Sequence, residues 1–239
     1  MLTDLHLKAV THFHERIARA VEDSSPDAVV IIGDAVDGRD RLPLLSDFLG
    51  LLPGSVPRVA TLGNWEYWGR VDLAALRRTY EAADTHLLVN ESYILSEGAA
   101  LFGTDDSLAG TPTLDGLVDL ADREVVLLSH CPAFRDAIPA GLRGQVRAML
   151  SGHTHGGQVA IGGWAPLLPP GSGPYTAGWY TEAGVPLYVS RGLGTSVLPL
   201  RLGSPPELAV VEWFVGGLSG SLPARSNRGS LPGPPDRRR

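Results

Sequence analysis

Four times along the chain a short aliphatic run ends in a tight turn that delivers an Asp, an Asn or a His: VVIIGD to Asp34, VATLGN to Asn64, VVLLSH to His130 and AMLSGH to His153. Aliphatic runs without polar alternation fit strands buried on both faces. Buried strands need a layer on each side, so sheets covered by helices are expected. The loops at the carboxyl ends of such strands are where α/β folds carry their function.

The segments between these runs support that frame. Residues 11–23 place Phe13, Ile17, Ala20 and Val21 at helical spacing and are followed by Pro26, which predicts a helix and its stop. Residues 41–52 and 71–83 read as two further helices. Shorter strands are expected at 85–95, 99–106, 124–130, 147–153, 157–163, 186–192 and 207–214. The succession is that of an α/β chain.

Two stretches stand apart. Residues 162–180 (GGWAPLLPPGSGPYTAGWY) are too rich in Gly, Pro and aromatic residues for a regular element and read as an ordered lip beside a site. Residues 216–239 have the composition of a disordered tail, so one domain over 1–215 followed by that tail is expected. The tail holds five Arg against one Asp, which leaves the first 215 residues with 15 basic and 25 acidic side chains. That balance argues against a nucleic-acid groove.

Cys131 is the only cysteine, so no internal disulfide can form, and a buried thiol is expected there. No run approaches the roughly 18 apolar residues of a membrane span, and no charged and apolar leader follows Met1. A cytoplasmic or membrane-peripheral protein is expected. Only Met1 to Thr3 precede Asp4, against about five or six residues in an ordinary strand. Either the first strand is very short or the natural start lies upstream, where an anchor or export signal would sit.

Eight metal-capable side chains fall in five blocks: Asp4 and His6 in TDLHL, Asp34 and Asp37 in GDAVDG, Asn64 in GNWE, His130 in LLSHCP, and His153 and His155 in SGHTHGG. Taken singly, each block has an ordinary explanation as a cap, a turn or alternate faces of a strand. Together they make a set of hard oxygen and borderline nitrogen donors without thiolate, suited to manganese, iron or zinc. Eight are too many for one tetrahedral zinc, and about right for two ions sharing a carboxylate. Two such ions clamp a phosphoryl oxygen and activate a bridging hydroxide for in-line attack on phosphorus. His12, His14 and His86 lie outside these blocks and read as structural or solvated.

The ordered blocks DLH, GDAVD, GN, SH and GHTH resemble the calcineurin-like metallophosphoesterases. The pieces GHTHGGQV, LYVSRGLGTSVLPLR and PPELAVVEW are similar to a bacterial branch of that superfamily, often membrane-associated, that includes phosphodiesterases and lipid-precursor pyrophosphatases. The resemblance spans residues 1 to about 214. It implies two mixed β-sheets sandwiched between helices, a four-layer αββα fold. It also implies a site in which Asp4, His6 and His155 hold the first divalent ion, Asp34 bridges, and Asn64, His130 and His153 complete the second. Asp37 would orient a ligand histidine. Arg191, in SRGLGTS, is a candidate for contacting the substrate anion.

Family members commonly read GNH before an acidic residue, and that His is thought to protonate the leaving group. This chain has Trp65 there, followed by Glu66. The expectation is a hydrolase biased toward leaving groups that depart without a proton, such as phosphate or an aryl oxide, with an impaired metal-binding scaffold as the alternative. The substrate would be a phosphorylated small molecule or a lipid-linked diphosphate, contacted by Trp65 and by Trp164 and Tyr175 of the lip, with a membrane surface as a candidate partner.

Overall fold

In the computed structural model, which describes residues 1–161 and 164–215, each early aliphatic run becomes a strand feeding a helix. The order is β1 (Leu2–Thr3), α1 (His12–Asp23), β2 (Val29–Ile32), α2 (Leu42–Leu49), β3 (Arg58–Thr61), α3 (Asn64–Trp68), α4 (Leu73–Glu81) and β4 (Thr85–Leu87). Local chemistry sets several helix starts. Asp72 caps α4 by accepting the Ala74 and Ala75 amides at 3.0 and 3.1 Å, and the Thr11 amide donates to the His14 ring at the start of α1.

Strands β1 to β4 form one sheet in sequential order, all parallel. The expected mixed sheet is therefore not found here. Every connection between these strands is a helical crossover, and a crossover returns the chain in the same direction.

The second sheet is mixed. It comprises β5 (Glu91–Ser96), β6 (Ala99–Gly103), β7 (Glu124–Leu128), β8 (Val146–Ser151), β9 (Gly178–Tyr180) and β10 (Leu187–Val189), with the short helix α5 (Phe134–Ala137) between β7 and β8. Its order is β5-β6-β7-β8-β10-β9, with the two edge strands antiparallel to their neighbours.

Period-two burial assigns each face. Val29 and Ile31 of β2 pack with Ile17, Val21, Leu45 and Phe48 of the helices. Their alternates Val30 and Ile32 meet Leu101, Val126, Leu128 and Leu150 of the second sheet. On that sheet's far side, Phe102, Val125 and Leu127 pack with Leu117, Leu120 and Ile138. Helices, two sheets and an outer layer of short helices thus make the four layers the resemblance implies.

Four local expectations fail for identifiable reasons. Residues 85–95 are two strands in different sheets, because Asn90 adopts φ 59° and turns the chain across. The described residues of 157–163 form only isolated pairings, Val159 with Leu202 and Gly203 and Ile161 with Trp164, since Gln158 has φ 54°. Residues 207–214 are not a ladder: Ala209 exchanges hydrogen bonds with Met1 while Val211 and Trp213 pack between the sheets. The lip contains the regular strand β9. The tail, 216–239, and Gly162 and Gly163 lie outside the described residues.

Candidate metal centre

The carboxyl ends of β1, β2, β3, β7 and β8 meet along one edge of the two sheets. Asp4 and His6 follow β1, Asp34 follows β2, Asn64 begins α3 after β3, His130 follows β7, and His153 and His155 follow β8. All seven are buried. The backbone there is unusual: of eleven described non-glycine residues with positive φ, five are Asp4, His6, Asp34, His153 and His155. Conformations of that kind cost of order 1–3 kcal/mol each and cluster at functional sites.

Close approach is secured by glycine. A Cβ on Gly33, whose own φ is +68°, would run into the His130 ring, and one on Gly152 would strike the Asp4 carboxylate. The sheets are stitched across the edge by the His153 amide, which donates to Asp4 Oδ1 at 2.9 Å.

The side chains form two clusters, Asp4 with His6 and His155, and Asp34 with His130 and His153. In the first, His6 Nε2 faces His155 Nε2 at 3.1 Å, and His155 Nε2 lies 3.6 Å from Asp4 Oδ1. In the second, His130 Nε2 lies 3.1 Å from Asp34 Oδ2 and 3.3 Å from His153 Nδ1. Asp34 Oδ2 is also 3.7 Å from His6 Nε2, so one carboxylate oxygen lies between the clusters.

Outer contacts fix three of the four imidazoles. His6 Nδ1–H donates to Asp37 at 2.5 Å, His130 Nδ1–H to the Ile32 carbonyl at 3.1 Å, and His153 Nε2–H to the Pro170 carbonyl at 2.6 Å. Each turns its other ring nitrogen into the site. His155 differs, because its Nδ1 faces Arg201 Nη2 at 3.2 Å, and a guanidinium can only donate. Burial, together with the charges of His6 and Arg201, draws His155 down to about 4.

Protons are unevenly shared. Burial works against charge on His130, yet Asp34 and Asp4 outweigh it and hold its pKa well above the usual value. Burial likewise opposes charge on His6, and the Asp37 bond with the Asp34 carboxylate raises it. Asp34 is held well below the usual carboxylate range, because the His130 and His6 charges exceed the effect of its burial.

These residues fit divalent cations. Ligand-type nitrogen and oxygen atoms from separate elements converge in each cluster, and the buried Asn64 Oδ1 has no hydrogen-bond partner among the described residues. A buried amide oxygen of this kind is a donor that suits a hard divalent cation. Cys131 is no part of this: its thiol, pushed up by burial and by Asp106, contacts Asp106 at 3.3 Å.

The other sequence candidates are placed as follows. Asp37 supports His6. Trp65 sits edge-on to the His6 ring, with centroids 6.1 Å apart, and its amide donates to Asp34 Oδ1 at 2.9 Å. Arg191 pairs with Glu207 at 2.6 Å. Trp164 lies on the surface, 68% exposed. Tyr175 is in the core of the outer layer, its hydroxyl donating to Asp136 at 2.7 Å. His12 contacts Glu15, His14 joins the start of α1, and His86 packs on Tyr93.

Two residues that carry the site were not singled out for these roles. Glu66 accepts four buried amides, from Gly63 at 2.9 Å, Asp34 at 3.0 Å, Ala35 at 2.7 Å and Val36 at 3.2 Å. Burial and then the Asp34 charge push it up to about 7 against the pull of those amides. Its position three residues after Gly63 was a visible capping signal. Arg201 bridges the carbonyls of His155, Gly194 and Ser204, and nothing in its spacing announces this.

Comparison with known proteins gives a consistent answer. Residues 1–157 match the family described as calcineurin-like phosphoesterase. Over 205 residues the chain is 31% identical to YkuE of Bacillus subtilis (strain 168), named an uncharacterized metallophosphoesterase, covering 80% of this chain and 68% of that one. An uncharacterized metallophosphoesterase of Aquifex aeolicus (strain VF5) is 31% identical over 226 residues, covering 87% and 82%. Among solved structures, a 5'-nucleotidase precursor from Thermus thermophilus overlays with a TM-score of 0.46 at 16% identity, over 80% of this chain and 48% of that chain.

Proposed function

Because this chain belongs to the calcineurin-like phosphoesterase family, we propose that it is a two-metal hydrolase of phosphoester or phosphoanhydride bonds. The observation that carries this reading is the position of Asp34 Oδ2, 3.1 Å from His130 Nε2 and 3.7 Å from His6 Nε2, between two buried clusters. Asp4, His6 and His155 would hold one ion, Asn64, His130 and His153 the other, with Asp34 shared. Two divalent cations there would polarise the phosphoryl group and acidify a water for attack on phosphorus.

The chain's own residues set orientation and proton supply. Asp37 holds the His6 ring by its Nδ1–H, keeping Nε2 directed inward. The Trp65 amide fixes Asp34 Oδ1, leaving Oδ2 free to be shared. The indole of Trp65 beside His6 can stack on a substrate group but cannot yield a proton. Tyr67 in the same helix is no substitute, because burial and its bond to Asp105 raise its pKa further. The reaction therefore favours bonds whose leaving group departs as a stable anion, as in pyrophosphates and aryl esters.

The test is metal analysis of the purified protein followed by assay on bis-aryl phosphates and on a panel of nucleotide-lipid diphosphates. Two ions per chain with turnover of these substrates is expected. Two ions without turnover of any ester would mark an impaired scaffold instead, and a single zinc would overturn the two-metal reading.

A further inference from the structure

Beside the His153–His155 turn lies an apolar surface that the proposed chemistry does not use. Ile161, Trp164 and Leu167 are 66%, 68% and 81% exposed, and Val197, Leu198 and Leu202 are 81%, 58% and 55% exposed. Single exposed apolar side chains are ordinary, whereas a contiguous set marks an interaction site. The two segments that carry them run side by side. The Ala160 amide donates to the Leu202 carbonyl at 2.7 Å, and the Gln158 side chain reaches the Leu198 carbonyl at 2.9 Å and the Ser196 amide at 3.0 Å.

The surface is uncharged as well as apolar. No Asp, Glu, Lys or Arg occurs from residue 156 to 181, nor from 192 to 200. Its border, by contrast, is cationic. Lys8, the only lysine of the chain, is exposed and reaches the Thr195 carbonyl at 3.4 Å, and Arg41 donates to the Lys8 carbonyl at 3.2 Å with Arg39 exposed beside it. Asp40 is the one acidic residue within that turn, and pairs with Arg41 at 3.2 Å. A net positive border is the reverse of the acid excess over the first 215 residues.

We infer that the surface carried by Ile161, Trp164, Leu167, Val197, Leu198 and Leu202 docks on an anionic lipid bilayer, these side chains entering the interface and Lys8 and Arg39 meeting the headgroups. Aliphatic side chains and a tryptophan flanked by cations are the combination that seats a protein in a bilayer interface. Negative headgroups supply the complementary charge. Arg201, in the same segment as Leu202, binds the His155 ring and carbonyl, so docking brings the metal centre to headgroup depth.

Vesicle flotation of the full chain tests this with phosphatidylcholine alone and with added phosphatidylglycerol. Binding to the mixed vesicles, weakening with salt, is expected, with about tenfold or greater loss in the Leu167→Glu, Val197→Glu double variant. Both sites are 81% exposed, so melting temperature and metal content stay unchanged. Brominated acyl chains should also quench tryptophan emission of the unaltered protein. The inference is overturned if the protein does not float, if the double variant floats equally well through its basic tail, or if the patch proves to be a dimer contact that the variant splits without any vesicle binding.

Discussion

The Glu66 carboxylate holds the backbone amide of Asp34 at 3.0 Å and so ties the helix bearing Trp65 to the loop whose carboxylate lies between the two clusters. Three more amides converge on the same carboxylate, one of them the cap of its own helix. A residue outside both clusters therefore fixes the distance between two candidate ligands, Asp34 and Asn64.

Replacing Glu66 with Ala leaves four buried amides without an acceptor. At about 1–3 kcal/mol for each unsatisfied group, partly relieved by entering water, a loss of roughly 3–5 kcal/mol is expected. Glu66→Gln keeps one oxygen and should lose about half as much. Urea unfolding of the two variants checks both the size and the order.

Asp37→Asn removes the charged acceptor of the His6 Nδ1–H. Outer partners of this kind typically cost 10–100-fold in metal affinity. The loss is expected for one ion only, since His130 and His153 take their outer bonds from main-chain carbonyls. Titration of the metal-stripped protein followed by calorimetry should show one affinity moved and one unchanged.

Trp65→His would place a proton donor where the indole lies. Positioned acid catalysis contributes typically 10²–10⁴-fold. Turnover of alkyl phosphodiesters should rise toward that range, and turnover of aryl esters far less. Equal changes for both ester classes would leave Trp65 a packing or binding role alone.

Chelation is expected to lower the melting temperature, and manganese or zinc to restore it. Ligand present at a thousand times its dissociation constant adds about 4 kcal/mol to the folded state. An Asn64→Ala variant should regain less than the unaltered chain, because its second cluster lacks the only neutral oxygen donor.

Much of this arrangement was legible in the sequence. The aliphatic runs of β2, β3 and β7 announced strands buried on both faces, and the turn residues after them announced side chains that meet at one edge of the sheets. The paths of 85–95 and 207–214 were not legible. Their residues suit a strand as well in one sheet as in another, and only Asn90 and the brevity of β1 decide. Tyr175 misled for the same reason: an aromatic in a Gly-Pro segment looks like a surface, and only its packing in the core beside Arg135 and Asp136 shows otherwise. Glu66 and Arg201 act on main-chain groups, which carry no residue identity for a sequence to reveal.

Each cluster draws on both halves of the chain. Asp4, His6 and Asp34 come from the first sheet, and His130, His153 and His155 from the second. Either ion would thus be a cross-link between sheets that are separate until the chain has passed Asn90. Retention of metal would then report on assembly: a protein whose halves had docked out of register would lack both clusters and hold neither ion.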